Sequence, residues 1–140
     1  MEKILIESKI EQLLALLEKL ESVLKEYEKN STLKEFLLYA AEKKAEEVVE
    51  QAVSINQELL RTKDKVSQSY YDSFLDLKIF KVFVEKDLIA LASTAGFRNR
   101  FAHDYLEIDD NVAIKSMRNM IPMYKFYLQK VRKILYSLKK

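Results

Sequence analysis

Apolar residues in the first part of the chain recur at alternating intervals of four and three: Ile6, Ile10, Leu13, Leu17, Leu20, Leu24 and Tyr27. Such a seam predicts one long helix from about Lys3 to Tyr27. Leu14, Leu16 and Val23 widen the stripe beyond what a single neighbour covers, as in a bundle helix with several partners. Lys29-Asn30-Ser31 interrupts the pattern. Thr32 followed three residues later by Glu35 has the form of a capping box, so a second helix is expected from there to about Leu60. Phe36, Leu37, Ala40, Ala41, Ala45, Val48, Ala52, Ile55 and Leu59 form its predicted buried face, with the alanines allowing close approach of a neighbour. The polar run Arg61–Lys65 is expected to be a loop. Shorter helices are predicted from about Tyr71 to Lys81 and from Glu85 to Ala95, with Gly96 as a stop or hinge. Asp109 or Asp110 is positioned to cap a last helix reaching about Leu138, kinked at Pro122.

Composition supports this reading. The 140 residues contain one glycine and one proline, too few for the tight turns that join strands. The expected fold is therefore all-α, an antiparallel bundle of four to five helices in a single domain over residues 1–140. No cysteine is present, which excludes disulfides and thiolate chemistry, and one histidine cannot build a His-based metal cluster within a chain. Neither a signal-peptide pattern nor a long apolar span is evident, so a cytoplasmic protein with no membrane association is expected. A net charge of +2 does not by itself indicate a nucleic-acid partner. The basic positions near the end (Lys125, Lys130, Arg132, Lys133, Lys139, Lys140) read as a solvated helix face, with RNA contact as the alternative.

One stretch concentrates chemistry. Gly96-Phe97-Arg98-Asn99-Arg100-Phe101-Ala102-His103-Asp104-Tyr105 holds the only glycine and the only histidine beside two arginines, an asparagine and a tyrosine. Each residue has a plain structural reading. The histidine can be a surface or capping residue. The arginines can be ion-pair partners of Asp104 and Glu107, and Tyr105 can be a boundary ring with a wet hydroxyl. Phe97 and Phe101 fit a core better than a stacking platform. On a regular helix Asn99 and His103 share a face, as do Arg98 and Tyr105, whereas Arg98 and His103 diverge. An irregular segment, the reach of the arginine, or a second copy of the chain would bring Arg98 and His103 to one target.

Arg98, with Asn99 beside it, followed by His103-x-Tyr105 resembles the R-x-x-x-x-H-x-Y signature of the HepT-like ribonuclease toxins of the HEPN superfamily. The layout resembles theirs as well: two long helices before the motif, a shorter helical region into it, and a long helix after. Arg100-Phe101-Ala102 stands where members commonly carry aliphatic residues. The resemblance implies a metal-independent endoribonuclease without cofactors, the toxin of a type VII toxin–antitoxin pair. It implies a homodimer whose interface cleft is lined by Arg98 and His103, with Asn99 in support. It also implies a small nucleotidyltransferase antitoxin of the MntA kind, which silences the toxin by adenylylating Tyr105. The side chains suit that chemistry. Histidine exchanges a proton near neutral pH, arginine offers planar donors to phosphate, and RNA supplies its own 2′-hydroxyl nucleophile, giving a 2′,3′-cyclic phosphate. Two other readings stand beside it: a helical module that binds the nucleotidyltransferase without cutting RNA, and a structural dimerising bundle.

Overall fold

The computed structural model describes residues 2–30, 32–99 and 109–138, and at residues 2 and 97–99 the backbone alone. Helix α1 spans Glu2–Lys29, α2 Lys34–Arg61, α3 Tyr70–Leu75, α4 Glu85–Ser93 and α5 Asp110–Ser137. Two 3-10 segments, Asp76–Phe80 and Thr94–Asn99, continue α3 and α4. No strand occurs among the described residues, and the all-α expectation holds.

The seam of α1 is buried as its spacing predicts: Ile6, Ile10, Leu13, Leu17, Leu20 and Leu24 are all within the core. Polar contacts fix the directions of its neighbours. Gln51 of α2 donates to the Lys9 carbonyl and to Gln12, Lys9 donates to Ser54, and Lys34 reaches the Tyr27 carbonyl, so α2 runs antiparallel to α1. Arg118, Lys125 and Arg132 of α5 pair with Glu28, Glu21 and Glu11 of α1 at 3.2, 3.9 and 3.8 Å, so α5 is antiparallel to α1 as well. Helices α2 and α5 are therefore parallel, and the described residues 62–99 form a crossover arm that follows α2. The wide stripe of α1 is met inside one chain by α2 and α5, so it supplies no argument for a second copy.

Several local expectations give way. Thr32 does not cap α2. The N-cap position is Leu33, without a side-chain hydrogen bond, and Asn30 Oδ1 accepts from the amides of Thr32 and Leu33 (both 2.9 Å) and from the Thr32 hydroxyl. The side-chain carbonyl of Asn30 thus closes the turn from its α1 side. Phe36, expected in the core, is 67% exposed, because the buried stripe of α2 starts at Leu38. The helix predicted over Tyr71–Lys81 tightens to 3-10 geometry at Asp76 and ends where Lys81 takes φ 60°. Ser69 caps α3 by accepting from the Asp72 amide at 3.0 Å. Asp109 caps α5 as expected, accepting from the Asn111 amide at 2.8 Å. Helix α5 continues through Pro122 as one helix. Pro122 is exposed, so the Arg118 carbonyl that loses its donor lies toward solvent.

The arm is fastened to the long helices by buried polar contacts. Tyr127 of α5 donates to Asn56 Oδ1 at 2.6 Å and lies 3.1 Å from the Ala52 carbonyl. Asn56 donates to Ser73 of α3 at 3.1 Å, and Ser73 donates to the Tyr70 carbonyl. Phe74 packs edge-on against Tyr124 and Tyr127, and Phe83 stacks on Tyr127. Among the described residues no helix is long and apolar enough to cross a membrane.

The α1–α2 turn yields a direct comparison. Asn30→Ala removes the acceptor for two amides and is expected to cost about 1 kcal/mol, a drop of a few degrees in Tm. Thr32→Ala removes no cap and should leave Tm nearly unchanged. Thermal unfolding followed by circular dichroism decides between them, and a larger loss at Thr32 would restore the capping box.

Candidate functional site

Helix α4 begins after Val84 and buries Leu88, Leu91 and Ala92 against the arm and core. At Thr94 the chain tightens into the 3-10 segment Thr94–Asn99, which packs against α2. The cause is a buried hydroxyl. Thr94 is 6% exposed and donates to the Leu91 carbonyl at 2.6 Å. Its single hydrogen being used there, its oxygen accepts from the Tyr124 hydroxyl, also at 2.6 Å. Tyr124 and Tyr127 are fully buried, and burial pushes both phenols well above their ordinary range, the Thr94 bond drawing Tyr124 partly back. Both hydroxyls are thus neutral donors at any physiological pH.

Arg98 and Asn99 lie on the backbone of this 3-10 segment. The regular helix on which Arg98 and His103 would diverge is therefore not the local geometry at Arg98. The chain has three residues per turn there, and the irregularity begins at Thr94, ahead of Gly96. The α-helix ends at Ser93, three residues ahead of Gly96, so Gly96 is not its stop. It sits within the segment without a positive φ, and an added Cβ would meet nothing within 4 Å. His103 and Tyr105, with Arg100, Phe101 and Asp104, lie outside the described residues. Asp109, the cap of α5, lies at the end of the bundle where Glu28 of α1 meets Arg118.

Thr94, Tyr124, Asn56 and Tyr127 escaped the sequence reading. The available signal was a pair of tyrosines, Tyr124 and Tyr127, on the apolar stripe of α5, since a buried phenol needs a partner. The basic positions of α5 are partly committed within the chain. Lys125 and Arg132 pair with α1, and Lys130 lies 5.3 Å from the centre of the Phe126 ring. Lys139 and Lys140 lie outside the described residues. Among the described residues no group of three or more acidic or histidine side chains is placed to hold a metal ion.

Comparison with known proteins bears on the same stretch. The family described as "Ribonuclease HepT-like" matches residues 13–131, from the middle of α1 to the last turns of α5, with the motif inside. A protein named tRNA nuclease HepT, from Aphanizomenon flos-aquae (strain 2012/KM1/D3), is 26% identical over 93 residues, 65% of this chain and 63% of that protein. The match thus spans less than two thirds of that relative's length. On a family match covering most of its length, this chain belongs to the ribonuclease HepT-like family.

Proposed function

We propose that this chain is a metal-independent endoribonuclease, the toxin of a toxin–antitoxin pair, and that it needs no cofactor. The observation that carries the reading is the family match across residues 13–131 together with an intact Arg98…His103-x-Tyr105 motif inside it. The relative named as a tRNA nuclease makes tRNA the first substrate to try.

In this reading His103 accepts the proton of a ribose 2′-hydroxyl as its oxygen bonds to phosphorus. The bond from phosphorus to the 5′-oxygen breaks, that oxygen takes up a proton, and the products are a 2′,3′-cyclic phosphate and a 5′-hydroxyl. Arg98 binds the phosphate and stabilises its developing charge through its planar donors, and Asn99 supports that contact. Two copies of the chain form the cleft. Support for a homodimer comes from apolar side chains at the end of the bundle where α5 begins: Leu33 at the N-cap of α2, Phe36 of α2 and Val112 of α5 are 52%, 67% and 57% exposed. A minimal nucleotidyltransferase of the MntA kind is the antitoxin. By adenylylating Tyr105 it brings phosphate to the guanidinium that RNA would otherwise use.

Three outcomes are expected. His103→Ala and Arg98→Ala each lower cleavage of tRNA by at least ~10²-fold while circular dichroism stays helical, and Arg98→Lys is nearly as damaging. Wild-type turnover by His103→Ala would remove the catalytic assignment. Phe36→Glu converts a dimer to a monomer in light scattering and weakens cleavage with it. A wild-type chain that is monomeric at micromolar concentration would exclude the shared cleft. Co-expression with the nucleotidyltransferase adds mass in units of an adenylyl group, and Tyr105→Phe abolishes that gain and escapes neutralisation. A gain mapping to another of the eight tyrosines would defeat the Tyr105 assignment.

A further inference from the structure

Helix α4 is 9 residues long, too short to hold its shape unaided. The 3-10 segment that continues it has little apolar surface over its first residues. Thr94 is buried, Ala95 half-buried and Gly96 exposed. Ala95 brings one methyl and Gly96 no side chain, and apolar packing is non-directional, so it defines the tilt of this stretch weakly. The directional contact is the Thr94 hydroxyl, which donates to the Leu91 carbonyl and accepts from Tyr124 of α5.

The Tyr124 hydroxyl has a fixed origin. Its ring is fully buried and meets the rings of Phe74 and Tyr127 edge-on. Burial keeps the phenol protonated at physiological pH, so the contact does not titrate. Four residues separate Thr94 from Arg98, about 8 Å along a 3-10 helix. A small tilt at Thr94 is therefore a displacement of the backbone at Arg98 and Asn99, and a displacement of about 1 Å can slow a reaction roughly 10²-fold.

We propose that Tyr124 is a positioning residue of the nuclease site, its hydroxyl fixing, through Thr94, the backbone that carries Arg98 and Asn99. The hold on the backbone stands without the nuclease reading, and its effect on rate rests on that reading.

Two measurements test these separately, with a matched control. Tyr124→Phe keeps the ring and removes only the hydroxyl. Tyr127→Phe removes an equally buried hydroxyl, bonded instead to Asn56 and the Ala52 carbonyl. Each loses a buried hydrogen bond and is expected to lower Tm by a few degrees. The two part in hydrogen exchange followed by mass spectrometry well below either Tm. Tyr124→Phe should speed exchange of the Thr94–Asn99 amides about 5-fold beyond the change in Tyr127→Phe. Equal exchange in the two would overturn the hold. In cleavage of tRNA, Tyr124→Phe is expected to lower kcat about 10-fold or more, with a smaller change in KM and an unshifted pH profile, and Tyr127→Phe at most about 2-fold. Wild-type kcat in Tyr124→Phe, or equal losses in both phenol variants, would overturn the positioning role. Thr94→Val should match Tyr124→Phe, and it takes that variant's place if the phenylalanine does not fold. Thr94→Ser should recover most of what Thr94→Val loses. The double variant Thr94→Val with Tyr124→Phe should lose no more rate than either alone, and additive losses would overturn the route through Thr94. A wild-type chain that cleaves no RNA would remove the nuclease reading and the effect on rate with it, while the exchange measurement would still decide the hold.

Discussion

Two phenol hydroxyls buried on one stripe of α5 hold the chain together where its helices alone would not. Apolar packing brings α1, α2 and α5 side by side, but it is non-directional and leaves the crossover arm free to slide. Tyr127 fixes the first half of the arm through Asn56 and Ser73, and Tyr124 fixes the second half through Thr94. An unmade hydrogen bond at such depth costs about 1–3 kcal/mol, so each contact selects one register of the arm. The 3-10 geometry of Thr94–Asn99, and with it the placement of the Arg98 backbone, follows from that selection.

Periodicity made the long helices legible. A seam such as Ile6–Ile10–Leu13–Leu17 admits one helix face, and burial follows it residue by residue. What lay beyond reach were features that depend on residues distant in the chain or on competition between near neighbours. Thr94 and Tyr124 are thirty positions apart, and nothing local to either announces the other. At the α1–α2 turn both Asn30 and Thr32 suit a capping role, and spacing alone does not say that the asparagine takes the amides. Gly96 drew the role of a helix stop by residue type, whereas the helix had already tightened two residues earlier at a buried threonine. The motif was legible as a cluster of residue types. The placement of Arg98 on a 3-10 turn was not, since that turn is imposed by α5.

The charge pattern shows a similar division. Lys125 and Arg132 belong to the basic face read from the sequence, and each, like Arg118, is answered by a glutamate of α1. These exposed pairs add little stability, typically 0–1 kcal/mol each. Their effect is on the field: the positive charge at these three positions of α5 is locally cancelled.

The topology also sets an order of events during synthesis. Helices α1 and α2 form a hairpin of neighbouring segments and can close as soon as Arg61 has left the ribosome. The arm has nothing to fasten to until Tyr124 and Tyr127 emerge, more than sixty residues later. Through that interval the segment Thr94–Asn99 lacks the contact that sets its register. The placement of the Arg98 backbone is thus a late event in folding, completed only when α5 docks.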